Sequence, residues 1–119
     1  MNADDLIRLQ HMRDAAHAAL SFAEGRTRKD LDTNLQLVLA LVKAVEIIGE
    51  AAARITDDGQ QEHPEIPWAQ IIGMRNILVH AYFDIDYDQL WETVQRDLMP
   101  LVEQLDRIVP SGSDSADSS

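Results

Sequence analysis

Four side chains able to do chemistry fall close together in an otherwise apolar run, Ile71 to Asp86: Arg75, Asn76, His80 and Tyr82. Arginine carries a permanent charge and forks onto a phosphate. Histidine titrates near neutrality and moves protons. Asparagine orients an imidazole or a substrate hydroxyl, and tyrosine stacks on a base or donates a hydrogen bond. Arginine and histidine together suit RNA cleavage by the 2′-hydroxyl. A base removes the hydroxyl proton, and a cation stabilises the charge building on the phosphate. The spacing lacks a His/carboxylate cluster of the kind that binds zinc. Asp84 and Asp86 suit a turn and a helix cap, so neither a metal nor another cofactor is expected. The same residue types also fit a second reading, a buried polar network that stitches a dimer. Residue types alone favour that second reading.

The geometry of a single helix strains the first reading. With Arg75 at 0° and about 100° per residue, Asn76 lies near 100°, His80 near 140° and Tyr82 near −20°. The four groups then span a wedge of about 160°. One helix presents such a wedge to a single groove only near its end, or when a second copy of the helix contributes.

The elements that must position these residues are helical. Asn2 to Glu24 carries apolar residues at three- and four-residue spacing, a capping-box pattern at Asn2 and Asp5, and a stop at Gly25. Ala15, Ala16, Ala18 and Ala19 form a small-residue patch against which another helix can pack. His11 and His17 lie on this helix about 120° apart, a poor metal pair, and read as surface residues. A second helix is expected from Thr27-Arg-Lys-Asp30 to about Thr56, with a broad apolar stripe. Gly49 inside it costs up to about 1 kcal/mol relative to alanine, which a close helix–helix contact explains. Glu46, Glu50 and Arg54 repeat every four residues and read as a solvated face with i,i+4 ion pairs. In a second reading, Glu50 faces Arg75 and fixes its side chain. Asp57 to Pro67 reads as a loop, with His63 exposed.

A third helix is expected from Pro67 to about Tyr82 or Phe83, with core contacts from Trp68, Ile71, Ile72, Leu78 and Val79. Gly73 permits close packing there or leaves room beside Arg75 and Asn76. Asp86 and Gln89 cap a fourth helix, with Ile85 and Leu90 as its hydrophobic staple. Pro100 is expected to kink it or restart it. With no strand-like alternation and no internal repeat, the fold class is all-α, an up-and-down four-helix-type bundle. Residues 1–110 form the helical domain, and Ser111 to Ser119 has the composition of a disordered acidic and serine-rich tail.

Composition narrows the function classes. The net charge of −11, from 10 basic and 21 acidic residues, argues against non-specific coating of nucleic acid but permits a local basic site. Absence of cysteine excludes disulfides and thiolate metal sites. No stretch reaches the ~18 apolar residues that cross a bilayer, and the acidic N-terminus lacks a signal-peptide layout. A cytoplasmic protein without a membrane partner is expected.

Arg75-Asn-Ile-Leu-Val-His80-Ala-Tyr82 resembles the Arg-x4-His-x-Tyr motif of HEPN-domain proteins. Pro64-Glu-Ile-Pro-Trp68, Ile71-Ile-Gly-Met-Arg-Asn76, Val79-His-Ala-Tyr82, Ile85-Asp86 and Leu90-Trp91 extend the likeness to the HepT-like toxin family. Ile48-Gly-Glu-Ala51 resembles that family's second helix and gives Gly49 and Glu50 a shared context. The likeness covers most of residues 30 to 105. It implies a HEPN-like helical bundle and a homodimeric, metal-independent ribonuclease toxin with two copies of the motif meeting across a cleft. By the same resemblance His80 is the acid/base group, Arg75 holds the scissile phosphate and Asn76 positions the site, with Glu50 and Gly73 supporting. Tyr82 resembles the tyrosine that an MNT-type nucleotidyltransferase antitoxin adenylylates. The implied substrate is RNA, transfer RNA among the candidates. The alternative is a non-catalytic helical module that binds a nucleotide or a protein.

Overall fold

The structure, a computed structural model, describes residues 1–78 and 85–109, and for residues 77 and 78 the backbone alone. All regular elements among the described residues are helical. The chain runs through α1 (Ala3–Ala23), α2 (Asp30–Thr33), α3 (Leu35–Arg54), α4 (Asp57–Gln61), α5 (Trp68–Gly73) and a 3-10 segment (Met74–Leu78). It continues through α6 (Tyr87–Glu92), a π segment (Thr93–Asp97) and α7 (Leu98–Ile108). The all-α, HEPN-like bundle is therefore the architecture observed. The Ser/Asp tail and the core contact expected of Val79 lie outside the described residues, as does the side chain of Leu78.

α3 is the spine. Leu41, Val45, Ile48 and Ala52, at three- and four-residue spacing, are fully buried. A buried Leu or Ile side chain contributes about 1.5–3 kcal/mol by leaving water. The most extensive helix pair is α1 against α3. Ala15, Ala16 and Ala19 lie buried, as the small-residue patch requires. The pair is antiparallel, because Asp5 near the start of α1 reaches Thr56 just beyond the end of α3. Asp5 accepts from the Thr56 backbone N–H at 3.1 Å and from its hydroxyl at 2.6 Å. The Thr56 hydroxyl in turn accepts from the Gly59 N–H at 3.1 Å and starts α4. Gly59 is required here, since a Cβ would sit 2.5 Å from Asp5 Oδ2. Gly25, with φ +74°, supplies the left-handed residue that ends α1.

Four elements differ from the sequence expectation, the first being the third helix, which leaves α geometry after Gly73 for the 3-10 segment. The helix expected from Thr27 to Thr56 breaks at Asn34, whose backbone is extended (φ −129°, ψ 90°) and whose side chain accepts from the Leu37 N–H at 3.0 Å. Asparagine caps a new helix better than it continues an old one, so α2 is a single turn and α3 starts afresh. The loop between Asp57 and Pro67 contains the short α4. In the last helix the departure from α geometry precedes Pro100. The Leu98 N–H reaches back five residues to the Thr93 carbonyl, which defines the π segment. Pro100 donates no N–H, and its ring crowds the carbonyl four residues earlier, at Arg96. A wider turn just ahead of it relieves that crowding. α7 is fastened to α1 by Asp106, which accepts from Arg13 Nε at 2.8 Å and lies 2.8 Å from His17 Nε2.

Candidate active site

The site is built where α5 gives way to the 3-10 segment. Ile71 and Met74 are buried and anchor this stretch to the core. Arg75 follows Met74 and is carried onto the flank of α3. Its aliphatic stem lies directly on Gly49. A Cβ at position 49 would stand 3.1 Å from Arg75 Cβ and 3.3 Å from both its Cγ and its backbone N. Gly49 is thus the close-contact glycine expected from its place inside a helix, and the partner is the arginine itself.

That approach brings the guanidinium to the next residue of α3. Arg75 Nη1 donates to Glu50 Oε1 at 2.7 Å, with the two side chains 37% and 47% exposed. Of the two readings of Glu50, the structure contains the one in which it faces Arg75. The i,i+4 row Glu46–Glu50–Arg54 does not form. Glu46 binds Lys43 at 2.9 Å, Glu50 binds Arg75, and Arg54 has no ion pair among the described residues. The reason is geometric. The 3-10 segment delivers a guanidinium to Glu50 from outside the helix, and a short charge-assisted hydrogen bond outcompetes a flexible solvated pair. Arg75 keeps further N–H groups without a protein partner among the described residues, and its half-exposed position leaves them open to an anionic ligand.

Asn76 is exposed and has no hydrogen-bond partner among the described residues. In 3-10 geometry it lies about 120° around the axis from Arg75, not the 100° of the α-helical wheel. Gly73 meets nothing within 4 Å of an added Cβ among the described residues, so its close-packing role is not seen there and space is open at that point. His80 and Tyr82 lie outside the described residues. The structure therefore brings together Gly49, Glu50 and Arg75, and places Asn76 on the adjoining surface.

Glu50 also forms part of the wall of a groove between α1 and α3, of about 390 Å³, to which Arg8, His11, Lys43 and Arg54 contribute. By sequence alone His11 belongs to the plain surface, and Arg8 and Lys43 stand out in no pattern. The spacing Lys43, Ile47, Glu50, Arg54 marks one face of α3. Its partners on α1 emerge only when the two helices pair. Among the described residues no three His, Asp or Glu side chains group so as to hold a metal ion. Among them, too, no helix is long and apolar enough to cross a membrane.

Away from the groove, two carboxylates are held below the usual range. For Asp5 the cause is first the hydrogen bond from the Thr56 hydroxyl, then the Thr56 backbone N–H and the charge of Arg8, against an opposing effect of burial. For Asp106 burial pushes upward, and the hydrogen bonds and charges of His17 and Arg13 outweigh it.

Comparison with known proteins gives the family. The family described as ribonuclease HepT-like matches residues 12–108. A Methanocaldococcus jannaschii protein provisionally named as an RNase is 33% identical over 82% of this chain and 90% of its own length. A Thermococcus cleftensis protein provisionally named ribonuclease HepT is 34% identical over 84% of this chain and 91% of its own. A third relative, from Caldanaerobacter subterraneus subsp. tengcongensis and provisionally named as an RNase, is 31% identical over 85% of this chain and 90% of its own. No solved structure gives a significant match. Arg75, Glu50 and Gly49 all fall inside the matched span, and the chain belongs to the HepT-like family of the HEPN superfamily.

Proposed function

We propose that this chain is a metal-independent endoribonuclease, the toxin of a HEPN/MNT-type toxin–antitoxin pair, acting as a homodimer. The observation that carries the reading is the Arg75–Glu50 pair. A guanidinium is seated on a glycine, oriented by one carboxylate at 2.7 Å and left half-exposed, with N–H groups available to a phosphate. The relatives, named as ribonucleases, support the same reaction class.

In the proposed reaction His80 takes the proton of a ribose 2′-hydroxyl. The 2′-oxygen attacks the adjacent phosphorus, and the bond from phosphorus to the 5′-oxygen breaks. The leaving 5′-oxygen takes a proton from water, giving a 5′-hydroxyl and a 2′,3′-cyclic phosphate, and the protonated His80 returns its proton to solvent. Arg75 neutralises the charge that grows on the non-bridging oxygens. Glu50 is a positioning residue that holds the guanidinium in one rotamer, and Asn76 positions substrate or imidazole. The wide angular spread of the motif favours a composite cleft with a second copy of the chain. Tyr82 is proposed to accept AMP from a partner nucleotidyltransferase. The added bulk and negative charge then exclude RNA from the cleft.

The test is production of the chain in bacteria, and cleavage of single-stranded RNA and transfer RNA by the purified protein, with Arg75→Ala and His80→Ala beside it. Cleavage leaving cyclic phosphate ends, lost in both variants, is expected. Intact RNA with the unaltered protein, or equal cleavage by all three, overturns the reading.

A further inference from the structure

The groove between α1 and α3 has Glu50 in common with the Arg75–Glu50 pair, and the proposed cleavage step leaves the rest of it unused. We propose that it binds the backbone of single-stranded RNA on one side of the scissile phosphate, with Arg8 and Arg54 as the phosphate-contacting residues. The inference rests on the ribonuclease reading and extends it to a substrate subsite.

Three observations carry it. First, the groove and the Arg75 pair share a residue. Glu50 lines the groove and binds Arg75 at 2.7 Å, so the guanidinium stands one carboxylate away from the groove. Its volume of about 390 Å³ lies within the roughly 300–1,000 Å³ of small-ligand pockets, room for part of a nucleotide chain.

Second, its two arginines are available. The chain has 21 acidic residues against 10 basic ones, and several guanidiniums are held by carboxylates: Arg13 by Asp106, Arg28 by Asp32 and Asp88, Arg75 by Glu50, Arg96 by Glu92. Arg8 and Arg54 stand on opposite walls of the groove with no hydrogen bond or ion pair among the described residues. Arg8 makes only a longer-range electrostatic contribution to Asp5. With Lys43, they make the groove locally neutral in an acidic protein, since three cations offset Asp4, Glu46 and Glu50. An acidic chain that must admit a polyanion needs such a lane, because phosphate contacts supply the bulk of non-specific affinity.

Third, the lane has an apolar strip. Ile7 and Ile47 remain 48% and 37% exposed beside these cations. Charge for the phosphates alongside an apolar surface for sugar and base suits a single strand better than a duplex, whose bases are already stacked.

The test is fluorescence anisotropy with a labelled, fully 2′-O-methylated single-stranded oligonucleotide, which lacks the nucleophile and stays intact. Titrations at several salt concentrations compare the unaltered protein, the Arg8→Gln/Arg54→Gln double variant and a control double variant, Lys29→Gln/Arg96→Gln, of equal charge change outside the groove. Thermal melting verifies that each is folded. Each lost phosphate contact lowers the logarithmic salt slope by about 0.7, so the groove variant loses about 1.4. Its affinity at low salt is expected to fall tenfold or more, with the control close to the unaltered protein. Glu46→Gln removes one negative charge from the groove and is expected to tighten binding several-fold.

Equal salt slopes for the two double variants, or no tightening with Glu46→Gln, overturn the subsite. That outcome leaves the ribonuclease reading standing if cleavage by the unaltered protein persists. A groove variant that changes oligomeric state while binding RNA normally also overturns it and makes the face an interface between copies. Binding with the expected pattern but no cleavage of unmodified RNA keeps the groove as an RNA site and removes the catalytic reading instead.

Discussion

Gly49→Ala tests the link between the α3 spine and Arg75 most directly. The added methyl would stand 3.1 Å from Arg75 Cβ and 3.3 Å from its backbone N. Carbon atoms pack best at about 3.5–4.0 Å, so the 3-10 segment must retreat by several tenths of an ångström. Alanine gains up to about 1 kcal/mol of helix propensity over glycine. Overpacking a tight contact costs about 1–3 kcal/mol. With the full propensity gain of about 1 kcal/mol, the net loss lies between about zero and 2 kcal/mol. Unfolding entropy near 2.1 cal/mol/K per residue makes 1 kcal/mol worth roughly 4 °C in a chain of this size. Tm is therefore expected to fall by up to about 8 °C, read by differential scanning calorimetry. Gly73→Ala is the internal control. With nothing within 4 Å of its Cβ among the described residues, it should keep most of the propensity gain and raise Tm by up to about 4 °C. RNA cleavage should separate the two further. A 1 Å misplacement of a catalytic group costs about a hundredfold, so a shift of a few tenths in Arg75 predicts a loss of about tenfold for Gly49→Ala. If Gly49→Ala raises Tm as Gly73→Ala does and cleaves RNA normally, the close-approach reasoning is wrong.

Glu50→Gln should lower cleavage by about tenfold or more while moving stability by less than about 1 kcal/mol, because the pair is half-exposed and screened. Measured kcat against melting decides it, and Glu50→Asp should recover part of the activity if positioning is the role. Asp5→Asn should destabilise by about 1–3 kcal/mol, since an amide cannot accept from both Thr56 donors with its two polar atoms. The pH dependence follows from the same group. Its carboxyl is held below the ordinary value, so its stabilising contribution is present above the unfolded pKa near 3.9 and is lost as pH falls through the folded value. The advantage of the native protein over Asp5→Asn in urea melts should therefore shrink below about pH 4. Cleavage should persist in excess EDTA, and an activity restored only by added Mg²⁺ refutes the metal-independent mechanism.

The residues that carry the site were legible in the sequence as types. Arg75 drew notice as a cation in an apolar run, Gly49 as a glycine that a helix tolerates only for a reason, and Glu50 as one of two open readings. Local physics determined that much: apolar periodicity specified helices, and capping side chains such as Asn2 and Asp86 located their starts. Asn34 carried its capping signal too, but the apolar stripe on either side of it concealed the break. Periodicity could not assign the partner of each charged group. An i,i+4 row and a cross-element pair are equally compatible with the order Glu46, Glu50, Arg54, and only the arrival of Arg75 on α3 selects between them. The 3-10 turn at Met74–Leu78 and the π turn at Thr93–Asp97 were likewise invisible, because each differs from α geometry by one residue of hydrogen-bond register. The α1/α3 groove belongs wholly to the tertiary structure. Arg8 and Arg54 are far apart in the chain and become opposite walls only after burial of Ala16 and Ile48 brings the helices together.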